Sequence, residues 1–200
     1  MIVGSVIAIA QRDVKRLLAY SSIAHAGFLL TGVLALNQSG LIASLFYLAT
    51  YGITTLGAFA LVSLVRDSAG EVTDLNRWVG LAKRSPVTAS IFALFLLSFA
   101  GIPLTAGFIG KFTIFSAAYE NGNIGVVVIG VLSSAIAAFF YIRVIVMMFL
   151  TDTEDDSVTI SIPSGFTSAV IWIAAIATLI LGIFPTPILD AISSLATFIR

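Results

Sequence analysis

Lys111 is the residue in this chain most able to do chemistry, because of where it stands. It follows Gly101-Ile102-Pro103-Leu104-Thr105-Ala106-Gly107-Phe108-Ile109-Gly110 in an otherwise apolar stretch. Proline removes a backbone donor and clashes with the preceding turn, so Gly101 and Pro103 predict a helix that breaks near residues 102–107 and resumes. At membrane depth a broken helix is tolerated only where it is buried in protein or lines a polar cavity. An ionisable side chain at that depth marks a functional site by default, and a lysine that can be desolvated is suited to giving up and regaining a proton. The alternative is a lysine snorkelling to the interface. Tyr119, at the end of the segment, lies eight residues beyond Lys111, which at about 1.5 Å per residue leaves the ammonium short of water.

His25 is the only histidine. Its ordinary pKa of about 6.5 suits a proton relay, although a neutral histidine bonded to a neighbouring helix is an equal alternative. Ser21, Ser22 and His25 share one helical face at three- and four-residue spacing, with Tyr20 beside them, which favours a polar lane. Tyr47, Tyr51 and Thr55, flanked by Thr50 and Thr54, form a second polar stripe. Such residues act as interhelical glue, or they order a chain of water. Ser133 and Ser134 carry the same two readings. Lys15 and Arg16 begin a helix at the membrane edge, where orientation alone accounts for them, and Arg143 is expected to snorkel.

The elements that must position these groups are membrane helices. The mean hydropathy is +1.10, and 59% of residues are apolar against 10% charged, whereas soluble domains carry roughly 25% charged residues. Continuous apolar runs favour helices over a barrel. The chain has no cysteine, which excludes disulfides and thiolate metal centres. It has no glycine-rich phosphate loop after a strand pattern, and its balanced charge argues against a nucleic-acid partner. The expectation is an all-α polytopic membrane protein, a single membrane domain over 1–200.

Residues 1–10 are apolar but too short to span, and they lack the basic start and cleavage site of a signal peptide; they look like the tail of a helix. Five crossings follow, at about 17–36, 41–65, 86–119 (discontinuous), 124–150 and 167–183. Residues 66–84 carry Val72, Leu75, Trp78, Val79 and Ala82 at helical spacing, which predicts a short amphipathic helix at the interface. After Pro185 and Pro187 the tail is expected to continue as an amphipathic helix. Arg12, Lys15, Arg16, Arg66, Arg77, Lys83, Arg84 and Arg143 fall at one side, against Arg200 alone at the other. The positive-inside rule therefore predicts loops 66–84 and 151–166 in the cytoplasm and the C-terminus outside.

Two of these segments occur together in a known family. The run from Gln11-Arg12-Asp13-Val14-Lys15-Arg16 through Tyr20-Ser21-Ser22-Ile23-Ala24-His25-Ala26-Gly27-Phe28 resembles the signature of antiporter-like membrane subunits of proton-pumping NADH:quinone oxidoreductase (complex I). Gly101 to Phe112 resembles that family's second broken helix, with Lys111 at the position of its essential charged residue. Tyrosines at 47 and 51, together with Gly107-Phe108-Ile109-Gly110-Lys111-Phe112, resemble the subunit N branch. The distal subunit usually has histidines and a lysine at 47, 51 and 55, and the middle subunit a glutamate at 111. The tyrosines remove titratable imidazoles from that helix.

The resemblance implies the C-terminal portion of a fourteen-helix fold built on two inverted repeats, without the first repeat. It implies a proton-translocating subunit whose pathway uses Lys111, His25, Lys15, Ser21, Ser22, Tyr47 and Tyr51. NADH, FMN, iron–sulfur clusters and quinone would be handled by other subunits, with no cofactor in this chain. The implied partners are the neighbouring subunit M, the small subunit K and the lipid of an inner (plasma) membrane. Multisubunit sodium/proton antiporters and membrane-bound hydrogenases share both motifs, and a truncated membrane scaffold without activity is the remaining reading.

Overall fold

A computed structural model describes residues 1–151 and 158–196. The elements run α1 (Ile2–Ile9), α2 (Val14–Val33), α3 (Gln38–Val62), β1 (Val65–Asp67), β2 (Gly70–Glu71), a 3-10 turn (Leu75–Trp78), α4 (Leu81–Arg84), α5 (Pro86–Ala100), α6 (Ala106–Glu120), α7 (Ile124–Leu150), β3 (Thr159–Ile160), α8 (Gly165–Ile183) and α9 (Thr186–Leu195).

Side chains at the termini set these boundaries. Asp13 accepts the Arg16 N–H at 2.9 Å, Asn37 accepts that of Gly40 at 2.7 Å and Ser164 accepts that of Thr167 at 3.1 Å. Each satisfies a first-turn donor that has no partner inside the helix. Pro86 opens α5 at a position where a missing N–H costs nothing. Among the described residues, α3, α7 and α8 are each long and apolar enough to cross a membrane. The other two expected crossings fall on α2, of 20 residues, and on the shorter helices α5 and α6, of 15 residues each.

The outward faces are apolar as well. Val128, Leu132 and Phe139 on α7 and Ile173, Ile176 and Ile180 on α8 are all exposed, as suits a surface that meets lipid. Inside, Trp78, Phe92, Phe95 and Phe140 anchor a core near one end of the bundle, while Phe28, Tyr47 and Ile114 anchor a smaller one toward the other.

The chain segments sort to two ends as the crossings require. Val14 and Leu75 exchange backbone bonds with Thr73 and Arg12, at 2.8 Å each, and the Gly80 N–H reaches the Met147 carbonyl at 3.1 Å. β1 pairs antiparallel with both β2 and β3. At the other end Asn123 donates to the Leu34 carbonyl at 3.2 Å, and Gln38 donates to that of Ala196. The eight basic residues named above gather at the first end; Arg143 donates to the Ile9 carbonyl at 3.3 Å. Arg200 and the acidic run 152–156 lie outside the described residues.

Residues 66–84 depart from the expectation of an interfacial helix. They form a hairpin, a 3-10 turn and one short helix. Val72, Leu75 and Trp78 turn inward, and the Trp78 ring packs 5.0 Å from that of Phe92. Apolar spacing alone cannot tell a face that meets lipid from one that meets protein. Here Gly70, at φ +131, sets the hairpin turn, and the strand pairing with β3 was invisible in the local sequence. The tail meets its expectation: α9 is an amphipathic helix.

Arg77 donates to the Asp67 carboxylate, and the N–H groups of Ala69 and Gly70 donate to it at 2.7 and 3.0 Å. With Arg77 first, these bonds hold the Asp67 carboxyl below its ordinary value of 3.8. A depressed carboxylate pKa contributes stability that is fully present above the unfolded value and is lost as pH falls through the folded one. The hairpin should therefore loosen only below about pH 4, read as faster proteolysis of residues 65–78. Asp67→Asn should show that faster cleavage already at neutral pH.

Candidate functional site

The break between α5 and α6 comes from three residues. Gly101 ends α5 at φ +83, a conformation open to glycine and strained for other residues. Pro103 withholds a donor from the segment that follows. Leu104 also lies in the left-handed region, at φ 72, a strain of about 1–3 kcal/mol that persists only where the surroundings enforce it. Gly182 of α8 makes room there, because a Cβ on it would lie 2.4 Å from the Leu104 carbonyl oxygen. Helix resumes at Ala106, and the Gly107 N–H is received by Ser98 Oγ at 3.1 Å. The expected break is present, centred on 101–105.

The break frees carbonyls, and Lys111 takes them. The Gly101 N–H turns back to Leu97 and Ser98, and that of Ile102 to Leu97, so among the described residues the Phe99 and Ala100 oxygens have no backbone donor, and Ser134 Oγ donates to that of Ala100 at 3.4 Å. Lys111 Nζ donates to the Phe99 carbonyl at 2.8 Å, the Ala100 carbonyl at 3.1 Å and Ser134 Oγ at 2.9 Å. Its fourth side faces the Phe28 ring, 4.8 Å to the centroid. The residue is 5% exposed, which rules out snorkelling.

His25 centres a second cluster. Nδ1 lies 2.6 Å from the Tyr47 hydroxyl and Nε2 lies 3.1 Å from that of Tyr141, while Tyr141 donates to Ser21 Oγ at 2.6 Å. Tyr141 has one hydroxyl hydrogen, so it must accept from Nε2–H, which leaves Nδ1 to accept from Tyr47. The result is a directed wire from Tyr47 through the imidazole to Tyr141 and Ser21. Tyr51 stacks on the imidazole at 4.4 Å and donates to Ser22 Oγ at 2.7 Å. The single face expected for Ser21, Ser22 and His25 thus splits, Ser21 toward α7 and Ser22 toward α3.

Among the described residues no hydrogen bond joins Lys111 to this cluster. The Phe28 and Phe99 rings lie 5.7 and 5.5 Å from the imidazole, and both residues also contact Lys111. Beside them is a void of about 10 Å³ lined by His25, Tyr47, Thr50, Tyr51, Thr54 and Ser98, close to the size of one water with polar partners to hold it. Lys15 stands apart, at the first end of the bundle, in an ion pair with Glu71.

Tyr141 and the two α5 carbonyls went unnoticed in the sequence. Tyr141 could have been found, since it lies two helical turns beyond Ser134 on one face of α7. The carbonyls could not, because backbone oxygens carry no sequence signal until the break is placed. Tyr141→Phe should keep the ring packing and leave Ser21 and His25 each short of a partner. The expected cost is about 1–3 kcal/mol of stability. The melting temperature checks it; an unchanged melting temperature would show that the Tyr141 hydroxyl does not hold this cluster together.

The family model described as NADH:quinone oxidoreductase/Mrp antiporter, TM, matches residues 1–137. The chain belongs to this family. Among curated members, an NADH-quinone oxidoreductase subunit N from Rhodococcus opacus is 58% identical over 200 residues, covering all of this chain and 37% of that protein. The chain thus spans a little over a third of that relative's length, and the subunit N branch singled out by Tyr47, Tyr51 and Lys111 is the one these relatives carry. Among solved structures, a chain of respiratory complex I from Thermus thermophilus with bound aureothin aligns at TM-score 0.82 and 34% identity, covering 95% of this chain and 42% of that one. A chain of the Mrp complex from Dietzia aligns at 0.81 and 21% identity, over 96% and 43%, a likeness of fold.

Proposed function

We propose that this chain is the C-terminal part of a subunit N-type membrane subunit of proton-pumping NADH:quinone oxidoreductase, acting as a single membrane module. The observation that carries the proposal is Lys111, buried at a helix break and bonded to three oxygens beside the His25 wire. In this reading Lys111 is the terminal proton-exchanging group. His25, Tyr47, Tyr51, Ser21 and Ser22 relay protons to it through water in the adjoining void. Lys15, six residues before Ser21 on the same helix, is the charge at the mouth of the lane. NADH oxidation and quinone reduction occur on other subunits, which hold FMN and the iron–sulfur clusters, and subunits M and K are the neighbours.

Proton pumping by the assembled complex carrying Lys111→Ala tests the proposal. A sodium/proton antiporter role has the fold in its favour, and the 58% identity to a subunit N favours the complex I reading over it. Orientation follows from the eight basic residues at one end. A cysteine placed at the exposed Asn76 should react with an impermeant thiol reagent from the cytoplasmic face of an inner (plasma) membrane, with the C-terminus outside. Labelling from outside would reverse the topology.

A further inference from the structure

The contacts of Lys111 Nζ match an ammonium donor for donor. A protonated amine has three N–H groups, and three oxygens receive them, at 2.8, 3.1 and 2.9 Å, with an aromatic face 4.8 Å away on the remaining side. None of these four partners is anionic. Two of the oxygens are the last carbonyls of α5, where the partial negative charge of a helix concentrates. They are held in place by the way α5 ends on Gly101, so backbone fixes them whether or not Lys111 is present. Carbonyls at the end of a discontinuous membrane helix are a recurrent means of holding small cations. An aromatic face adds attraction for an ammonium.

We propose that the Phe99 and Ala100 carbonyls, Ser134 Oγ and the Phe28 ring form a preformed site for a small primary ammonium. Lys111 fills it with a tethered one, and a free ammonium ion or methylammonium occupies it when that side chain is shortened. A cleft of about 320 Å³ between α6 and α7, lined by Gly101, Phe108, Phe112, Phe115 and Ser134, reaches Lys111 from the bundle surface, and its apolar walls admit the amine in its uncharged form. The site deepens the reading of Lys111 given above and rests on it only where pumping is concerned.

The test uses the full-length subunit in the assembled complex, with Lys111→Ala. Melting temperature and NADH-driven membrane potential are measured in ammonium, methylammonium or tetramethylammonium chloride at equal ionic strength. Membrane potential is the readout because permeant amines collapse a pH gradient by themselves. Ammonium and methylammonium should raise the melting temperature and restore several-fold of the lost potential, while tetramethylammonium, which has no N–H, does neither. Lys111→Met, which fills the same volume with an apolar chain, should not respond. Adding Ser134→Ala to Lys111→Ala should raise the ammonium concentration needed by roughly tenfold, the loss of one hydrogen bond. An assembled Lys111→Ala complex whose melting temperature ignores ammonium overturns the site. If Lys111→Ala does not assemble, ammonium present during solubilisation should preserve the complex on a native gel, and failure to do so also overturns it. A Lys111→Ala complex that pumps normally without amines overturns the role of Lys111 in pumping, and the melting shift still decides the site.

Discussion

Lys111→Ala in the assembled complex is expected to lower the protons moved per NADH oxidised and to slow coupled quinone reduction, while the complex still forms. A positioned proton-transfer group contributes at least on the order of 100-fold in rate, so the loss should be large. The same change leaves the Phe99 carbonyl without its donor and the Ala100 carbonyl with Ser134 alone, at about 1–3 kcal/mol, a cost that a bundle packed on two apolar cores can absorb. Lys111→Arg separates charge from titration. A guanidinium stays protonated throughout the working range and presents a planar fork, where the site offers three oxygens around one nitrogen. Arginine should therefore keep the positive charge and still fail to pump. Normal proton-to-electron ratios in an assembled Lys111→Ala complex would remove Lys111 from the pathway. Normal ratios in Lys111→Arg would show that its charge, rather than its proton exchange, is what matters.

Gly107→Ala is expected to have the largest effect on stability. A Cβ on Gly107 would sit 1.9 Å from the Ser98 carbonyl oxygen and 2.7 Å from its carbon. Both are backbone atoms, so no rotamer change relieves the clash, and α5 and α6 must separate. Overpacking that side chains can absorb costs about 1–3 kcal/mol, and this one belongs at the top of that range or above it. The bond from the Gly107 N–H to Ser98 Oγ would go as well, and with it the alignment that presents Phe99 and Ala100 to Lys111. The control is Gly125→Ala on α7, where a Cβ meets nothing within 4 Å and the better helix former should stabilise by up to about 1 kcal/mol. Melting curves of the two variants in detergent should move in opposite directions. Equal curves would mean that α5 and α6 do not approach as closely as described here.

Much of the bundle is legible in the sequence. Apolar run lengths placed the crossings, because a membrane sets a minimum span that few other constraints can mimic. Gly101 and Pro103 located the break because each acts through its own backbone, whatever surrounds it. The 66–84 segment misled because its apolar spacing was real but its partner was Phe92 and the neighbouring core, not lipid. Thr55 was placed in the polar stripe with Tyr47 and Tyr51, yet among the described residues its buried hydroxyl has no hydrogen-bond partner, while Thr54 of the same helix meets Thr178 of α8 at 3.2 Å.

The sequence by itself determined that Lys111 would lie in an apolar segment beside a helix break and that His25 would lie on a helix with hydroxyl neighbours, since both follow from hydropathy and local backbone chemistry. It also determined, by motif, which family the chain belongs to. Only the tertiary structure decided what each group touches. Tyr47 of α3 and Tyr141 of α7 come to the imidazole on α2, and Tyr141 returns to Ser21 of that same helix. The oxygens around Lys111 come from α5 and α7, and Phe28 from α2 closes the fourth side. The physical reason is that a hydrogen bond is fixed by the relative rotation and depth of packed helices. Those depend on close approaches such as Gly107 against Ser98 and Gly182 against Leu104, each set by two distant segments at once.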